Sequence, residues 1–412
     1  MEEPRHRTAL VLAGGGARGA YEAGVLATLF ERVVPRLPAG FEFDVISGTS
    51  VGAIHAAYAA ASSEVDPAER SRRLVETWTE MDLGDVLDLK ASDLLGIPLR
   101  ALGFRTRRRP ALGSTRAEAV GGLVDVTPLE RMVAERIPWE GLRPNLARGR
   151  PGALCVSCTE VRSGRVTVFM DGPLADPLPW SFDPNARAIQ GEIGDRHVRA
   201  SAALPFLFPA IRVGDRYYVD GGLRMNTPLS PALRLRADRV VVVALKHARE
   251  GDGPDFPEEA ITQPAFLLGK VLDALLLDQL EYEMHRMQLV NAWIERGARV
   301  FGPDFLERMN VAVQEQRGVG FRRVQTVVIR PSEDVGRVAA ECMRGRRARS
   351  LGFLPALVAR TALRGVPEDE ADLLSYLLFD RCYTSELVAL GRRDARAVED
   401  RLVALLAGSE GV

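Results

Sequence analysis

Twice within the first sixty residues an apolar run breaks at a cluster of glycines and resumes as a helical pattern, and a chain built this way has few folds open to it. The first run, residues 8–13, ends in GGGARG, and a helical pattern follows over 20–34 until Pro35 stops it. The second run, 43–47, enters GTSVG and leaves it as AIHAAYAAA, a helix of small residues suited to close packing against a sheet. Further on, residues 239–245 are almost continuously apolar and β-branched. A strand with no polar face needs cover on both sides, so it belongs inside a mainly parallel sheet flanked by helices. Strand patterns at 153–160 and 165–170 joined by Ser163-Gly164, a short strand at 217–219, and helical patterns at 70–81, 195–201 and 228–235 complete the unit. The expected architecture is a three-layer α/β/α fold with a parallel-rich central sheet and a helical C-terminal extension.

The 412 residues divide, by pattern, into three parts. Residues 1–250 carry the sheet, 251–330 add a long helical pattern (265–294) and one more strand (325–329) packed on the core, and 331–412 form the helical extension. Residues 83–122 mix glycines, prolines and arginines and read as a cap or insertion. With 46% hydrophobic residues the chain can bury a sizeable core, while a net charge of −1 offers no field favouring nucleic acid. The N-terminus lacks the basic, apolar and small-residue regions of a secretory signal. The most apolar stretch, 265–280, is interrupted by Lys270, Asp273 and Asp278, so a cytoplasmic protein with at most peripheral membrane contact is expected. Four cysteines in so long a chain suggest a reducing compartment without disulfides. Cys155 and Cys158 are spaced as CxxC but fall in a strand pattern, where positions three apart face opposite sides. They read as structural, and neither a metal nor a cofactor is expected.

The sharpest local feature is GTSVG, with Gly48, Thr49, Val51 and Gly52 around Ser50 in the form of a nucleophile elbow between strand and helix. Side chains two residues either side of the serine would collide in such a turn, hence glycine at both places. The turn exposes Ser50, and the following helix aims its N-terminal dipole at negative charge developing there. An oxyanion needs amide donors, and the loop Gly14, Gly15, Gly16, Ala17, Arg18, Gly19 can turn several N–H groups to one point, with positive charge from Arg18. Gly14, Gly16 and Gly19 also satisfy a dinucleotide fingerprint, G-x-G-x-x-G. That reading needs an acid at the end of the second strand; Asp44 lies at its beginning, and the far end carries the serine turn. A phosphate-binding P-loop would need Gly-Lys-Ser/Thr after the glycines, which is missing.

Taken together, GGGARG, GTSVG and the DGG of Asp220, Gly221 and Gly222 resemble, in order and in their strand-end settings, the motifs of the patatin-like phospholipases. ASAALPFLFP (200–209) and VDVTPLERM (124–132) are similar to two further blocks of that family, and the resemblance covers residues 7–246. It implies a Ser50–Asp220 dyad without histidine, acting through an acyl-enzyme on phospholipid, lysophospholipid or other acyl-ester lipids.

The residues themselves permit this chemistry. Asp220 ends a strand pattern, and the two glycines after it allow close approach of backbone and substrate. An aspartate titrating near its usual ~3.9 is a poor base for an alcohol, so the pair needs a direct hydrogen bond and a partly desolvated cleft. Asp-Gly is equally the signature of a hairpin turn. A histidine triad is the mechanistic rival, with His247 following a strand in the order serine, acid, histidine. His55, five residues after Ser50, is expected on a different face of the same helix, and His6, His197 and His285 read as solvated or locally bonded. Residues 98–110 interleave five arginines with Leu99, Leu102 and Phe104, as an anionic membrane surface would require, or simply form a solvated loop in an arginine-rich chain. A non-catalytic lipid- or partner-binding module is the alternative class. Neither the composition nor these motifs speak to oligomeric state.

Overall fold

Leu10 and Leu12 pack on one side of the first strand and Ala9 and Val11 on the other; Val241 and Val243 against Val240 and Val242 repeat the pattern. Strands apolar on both faces demand two covering layers, and the chain supplies them. The computed structural model describes residues 6–86, 119–121, 124–205, 207–247, 279–344 and 372–408. Two strand–turn–helix units come first: β1 (Thr8–Leu12) with α1 (Gly19–Thr28), then β2 (Val45–Thr49) with α2 (Val51–Ala61) and α3 (Pro67–Thr79). Instead of one helix to residue 34, α1 gives way at Leu29 to a wider turn and then to a tight turn containing Pro35. Asp66 caps α3 by accepting from the amides of Ala68 and Glu69, with Pro67 at the first helical position.

β3 (Ala119–Val120), α4 (Thr127–Arg136) and α5 (Trp139–Ala147) lead into the hairpin β4 (Ala153–Glu160) and β5 (Val166–Asp171). Then come β6 (Ala186–Gln190), α6 (Asp195–Ser201), the hairpin β7 (Ala210–Val213) and β8 (Arg216–Asp220), α7 (Gly222–Met225), α8 (Leu229–Arg234) and β9 (Arg239–Val243). The chain continues as α9 (Gln279–Phe301), α10 (Phe305–Arg317), β10 (Gln325–Ile329), α11 (Val335–Arg344), α12 (Asp372–Leu377), α13 (Arg381–Ala397) and α14 (Glu399–Ala407). The expected cap at 83–122, the arginine cluster at 98–110 and the start of the 265–294 pattern fall wholly or largely outside the described residues.

The sheet runs β10-β9-β1-β2-β4-β8-β7-β3, with β5 on β4 and β6 on β5. β10 through β4 are parallel, and β8, β7, β3 and β5 add antiparallel pairs. Side chains of α1–α6, α11, α13 and α14 fill one face, and those of α8 and α9 the other. This is a mostly parallel α/β fold flanked by helices, with further helices in the C-terminal region. Among the described residues no helix is long and apolar enough to cross a membrane.

α1 is buried along its whole length, packed against α13 and α3. The crossing is close: a Cβ on Gly24 would stand 2.2 Å from the Val388 carbonyl oxygen, and one on Gly391 2.1 Å from that of Tyr21. Two cysteine expectations meet different outcomes. Cys155 and Cys158 are buried and free, packed on opposite faces of β4. Cys342 and Cys382, however, form a disulfide joining α11 to α13, which corrects the expectation of a disulfide-free chain. Forty residues separate them, and only the packing of the two helices brings their Cα atoms to 5.9 Å.

Candidate active site

Ser50 closes β2 and opens α2 with φ 56° and ψ −125°, a positive φ that an ordinary residue occupies at a cost of ~1–3 kcal/mol. The flanking glycines are fixed by contact. A Cβ on Gly48 would lie 2.1 Å from the Gly52 oxygen, and one on Gly52 2.3 Å from that of Leu12 in β1. Hydrogen bonds hold the turn: the Ser50 amide donates to Ser201 Oγ (2.9 Å), which donates to the Ser157 carbonyl (2.6 Å), while Thr49 Oγ1 donates to Met225 O (2.8 Å). The serine is 9% exposed, at the N-terminus of an eleven-residue helix.

How Asp220 reaches it follows from β4. One edge of β4 is taken by β5, so β2 and β8 share the other: Ala153 to Ser157 pair with β2, and Cys158 to Glu160 with β8. β2 runs parallel to β4 and ends at Thr49 opposite Ser157; β8 runs antiparallel and ends at Asp220 opposite Cys158. The two strands therefore meet head to head at adjacent rungs. The Asp220 carboxylate accepts a hydrogen bond from the Gly222 amide at 2.7 Å. Burial dominates its titration and pushes it up to about 6, with the Ser50 side chain and the Gly222 amide opposing the rise. Gly221 allows the turn to tuck in, since a Cβ there would lie 2.2 Å from Ser157 O. The Asp-Gly hairpin is thus not formed; the tight turn lies one strand earlier, between Val213 and Arg216.

Within the glycine loop the amides divide. Gly14 donates to Asn226 O (3.0 Å), and Asn226 Nδ2 donates back to Gly14 O (3.0 Å). Arg18 N–H is taken by Gly15 O, and Gly19 N–H by carbonyls of the same turn, Gly16 and Ala17. The amides of Gly15 and Gly16 meet no acceptor among the described residues. The Arg18 guanidinium is buried: Nε donates to Ser375 Oγ (2.8 Å), and the group lies 4.1 Å over the Tyr376 ring.

Ser50 and Gly16 line an apolar cavity. Ile54 and Tyr58 of α2, Leu74 and Trp78 of α3, and Leu129 and Met132 of α4 form its walls, closed by Phe208 and Phe379. His55 lines it as well, with both ring nitrogens engaged away from Ser50. Nε2 of His55 accepts from Trp78 Nε1 (2.8 Å), so the ring proton sits on Nδ1 and is donated to Glu22 (2.6 Å). His247 is held elsewhere, Nδ1 2.8 Å from Pro331 O. His197 accepts from the Gly194 amide and is held toward its neutral form by burial. Among the described residues no three histidine, cysteine or carboxylate side chains converge to hold a metal ion.

A strained serine thus stands at a strand–helix turn beside the glycine loop. The chain belongs to the patatin-like phospholipase family, whose model matches residues 10–233. Such a domain implies lipid acyl hydrolase activity in general. The chain is 27% identical over 248 residues to YqhO of Bacillus subtilis (strain 168), an uncharacterized protein, covering 59% of this chain and 72% of that one. It is 25% identical over 253 residues to the NTE family protein Mb1092c of Mycobacterium bovis, covering 60% of this chain and 52%, about half, of that one. Among solved structures, VipD from Legionella pneumophila aligns over 94% of this chain and 67% of its own at 14% identity and a TM-score of 0.34.

Proposed function

We propose that the protein is a lipid acyl ester hydrolase of the phospholipase A or lysophospholipase type, with Ser50 as nucleophile and Asp220 as its only proton acceptor. The observation that carries this reading is the meeting of the strand ends that carry Ser50 and Asp220 at adjacent rungs of β4, beside an apolar cavity that Ser50 lines. Ser50 Oγ attacks the ester carbonyl while its proton passes to Asp220. The tetrahedral oxyanion is met by the amides of Gly15 and Gly16 and by the α2 dipole. The intermediate collapses by breaking the bond to the alcohol, which leaves with the proton from Asp220, and the Ser50 ester remains. A water molecule then attacks this ester, gives its proton to Asp220, and releases the fatty acid as Ser50 recovers its hydrogen. The apolar walls suit an acyl chain, and the substrate's headgroup end stays toward solvent, so membrane contact is peripheral.

A fluorophosphonate probe is expected to label Ser50, and Ser50→Ala is expected to abolish both labelling and hydrolysis across a panel of phospholipids, lysophospholipids and triacylglycerols. Hydrolysis that survives Ser50→Ala sinks the proposal.

The titration of Asp220 sets a pH profile. Its carboxylate is the active form, so kcat/KM should climb as pH rises through about 6 and level off above it. A profile flat from pH 5 to 8 would rule out a base of this kind.

A further inference from the structure

The family match ends at residue 233, yet the glycine loop is gripped by Ser375 and Tyr376, far beyond that end. Ser375, fully buried in α12, accepts from Arg18 Nε at 2.8 Å. The Tyr376 ring lies under the Arg18 guanidinium at 4.1 Å. The backbone is engaged too: Gly16 has φ 56°, and a Cβ there would come within 2.4 Å of Tyr376 O. Tyr376 itself packs against Leu204, in the stretch between Ser201, which holds the nucleophile turn, and the cavity wall at Phe208. Three residues on, Phe379 stacks on Trp78 with ring centres 6.3 Å apart and forms part of the cavity wall. Asp380 then caps α13 by accepting from the Cys382 amide, and α13 is seated on α1 through Gly24 and Gly391.

The amides of Gly15, Gly16 and Ala17, which meet no acceptor among the described residues, lie within the loop that this segment covers. A glycine-rich loop has little conformational preference of its own, so its amides converge on one point only if something outside fixes them. Arg18, buried and bonded to α12, is the handle by which that is done.

We infer that residues 374–380 are a built-in part of the active site: Ser375 and Tyr376 are positioning residues that hold the Gly15 and Gly16 amides toward the oxyanion through Arg18, and Phe379 is a specificity residue closing the acyl cavity. The inference rests on the dyad reading above. It assigns two separable effects to neighbouring side chains. Loosening the loop weakens an interaction made only in the transition state, which lowers kcat and leaves KM in place. Removing a cavity wall weakens binding of a chain long enough to touch it, which raises KM for long acyl groups only.

The test uses the full-length protein with p-nitrophenyl esters from four to sixteen carbons. Ser375→Ala should lower kcat on the order of tenfold to 100-fold on every ester with KM held, and Ser375→Thr, which keeps the hydroxyl, should restore most of it. Phe379→Ala should lower kcat/KM progressively as the chain lengthens, so that the ratio of the sixteen-carbon to the four-carbon value falls on the order of tenfold below that of the parent. Melting curves and fluorophosphonate labelling accompany each variant. Wild-type kcat in a well-folded Ser375→Ala, failure of Ser375→Thr to rescue, or a Phe379→Ala effect independent of chain length each overturns the inference while the dyad stands. An unlabelled, inactive parent protein overturns the dyad, and the inference with it.

Discussion

Asp220→Asn is expected to lower kcat on an acyl ester by at least ~10³-fold while raising the melting temperature at pH 8. The first half follows from the site: Asn cannot take the Ser50 proton, and the Asp220 carboxylate has no histidine beside it to take over. The second half follows from linkage. Asp220 titrates near 6 in the folded protein against 3.8 ordinarily, so between those values the folded state holds the proton more tightly than the unfolded chain. Stability from this group therefore increases as pH falls from 6 toward 4, and above 6 the ionised, buried carboxylate is a burden on the order of 3 kcal/mol. The amide removes the charge and keeps the shape. Its oxygen can still accept from the Gly222 amide, and its NH₂ can donate to Ser50 Oγ. Circular dichroism melts at pH 5 and pH 8, beside steady-state rates, decide the matter: the gain at pH 8 should be about twice that at pH 5. A variant that keeps a tenth of the activity points to another base, and one that melts well below the parent at pH 8 makes Asp220 a structural residue.

Gly391→Ala is expected to destabilise the protein by about 3 kcal/mol, although alanine is the better helix former by about 1 kcal/mol. The added methyl would stand 2.1 Å from Tyr21 O and 3.1 Å from Val25 N, both backbone atoms that cannot rotate away. α13 must then lift from α1, and with it the packing that buries Leu387 and Val388. The midpoint of a urea titration should move down accordingly. An unchanged or higher midpoint would mean that the two helices do not cross this closely. The result matters for function because α13 continues directly from the segment that grips the glycine loop.

What could be read in the chain beforehand was local. The GTSVG turn is legible because its glycines face each other and β1 across a few residues, and the alternation in β1 and β9 because every side chain there is apolar. β10, isolated between helices, was readable from QTVVI alone. What escaped depends on residues far apart in sequence. Ser201 is an unremarked serine until its hydroxyl is seen linking the Ser50 amide to Ser157 O; the ASAALPFLFP block flagged its neighbourhood but not its task. Asn226 settles which amide of the glycine loop is already committed, and only its position across from Gly14 reveals that. The Cys342–Cys382 bond had no signal at all in spacing.

β4 acts as a ruler. The proposed nucleophile and base are carried by separate strands read off against consecutive marks on one of its edges, Ser157 and Cys158. Loops elsewhere can lengthen or shorten without parting them, whereas a single residue inserted between those two marks would slide the carboxylate by about 3.3 Å, farther than a proton can be handed across. Natural variation in this chain should therefore accumulate in its connections and spare the length of that one strand.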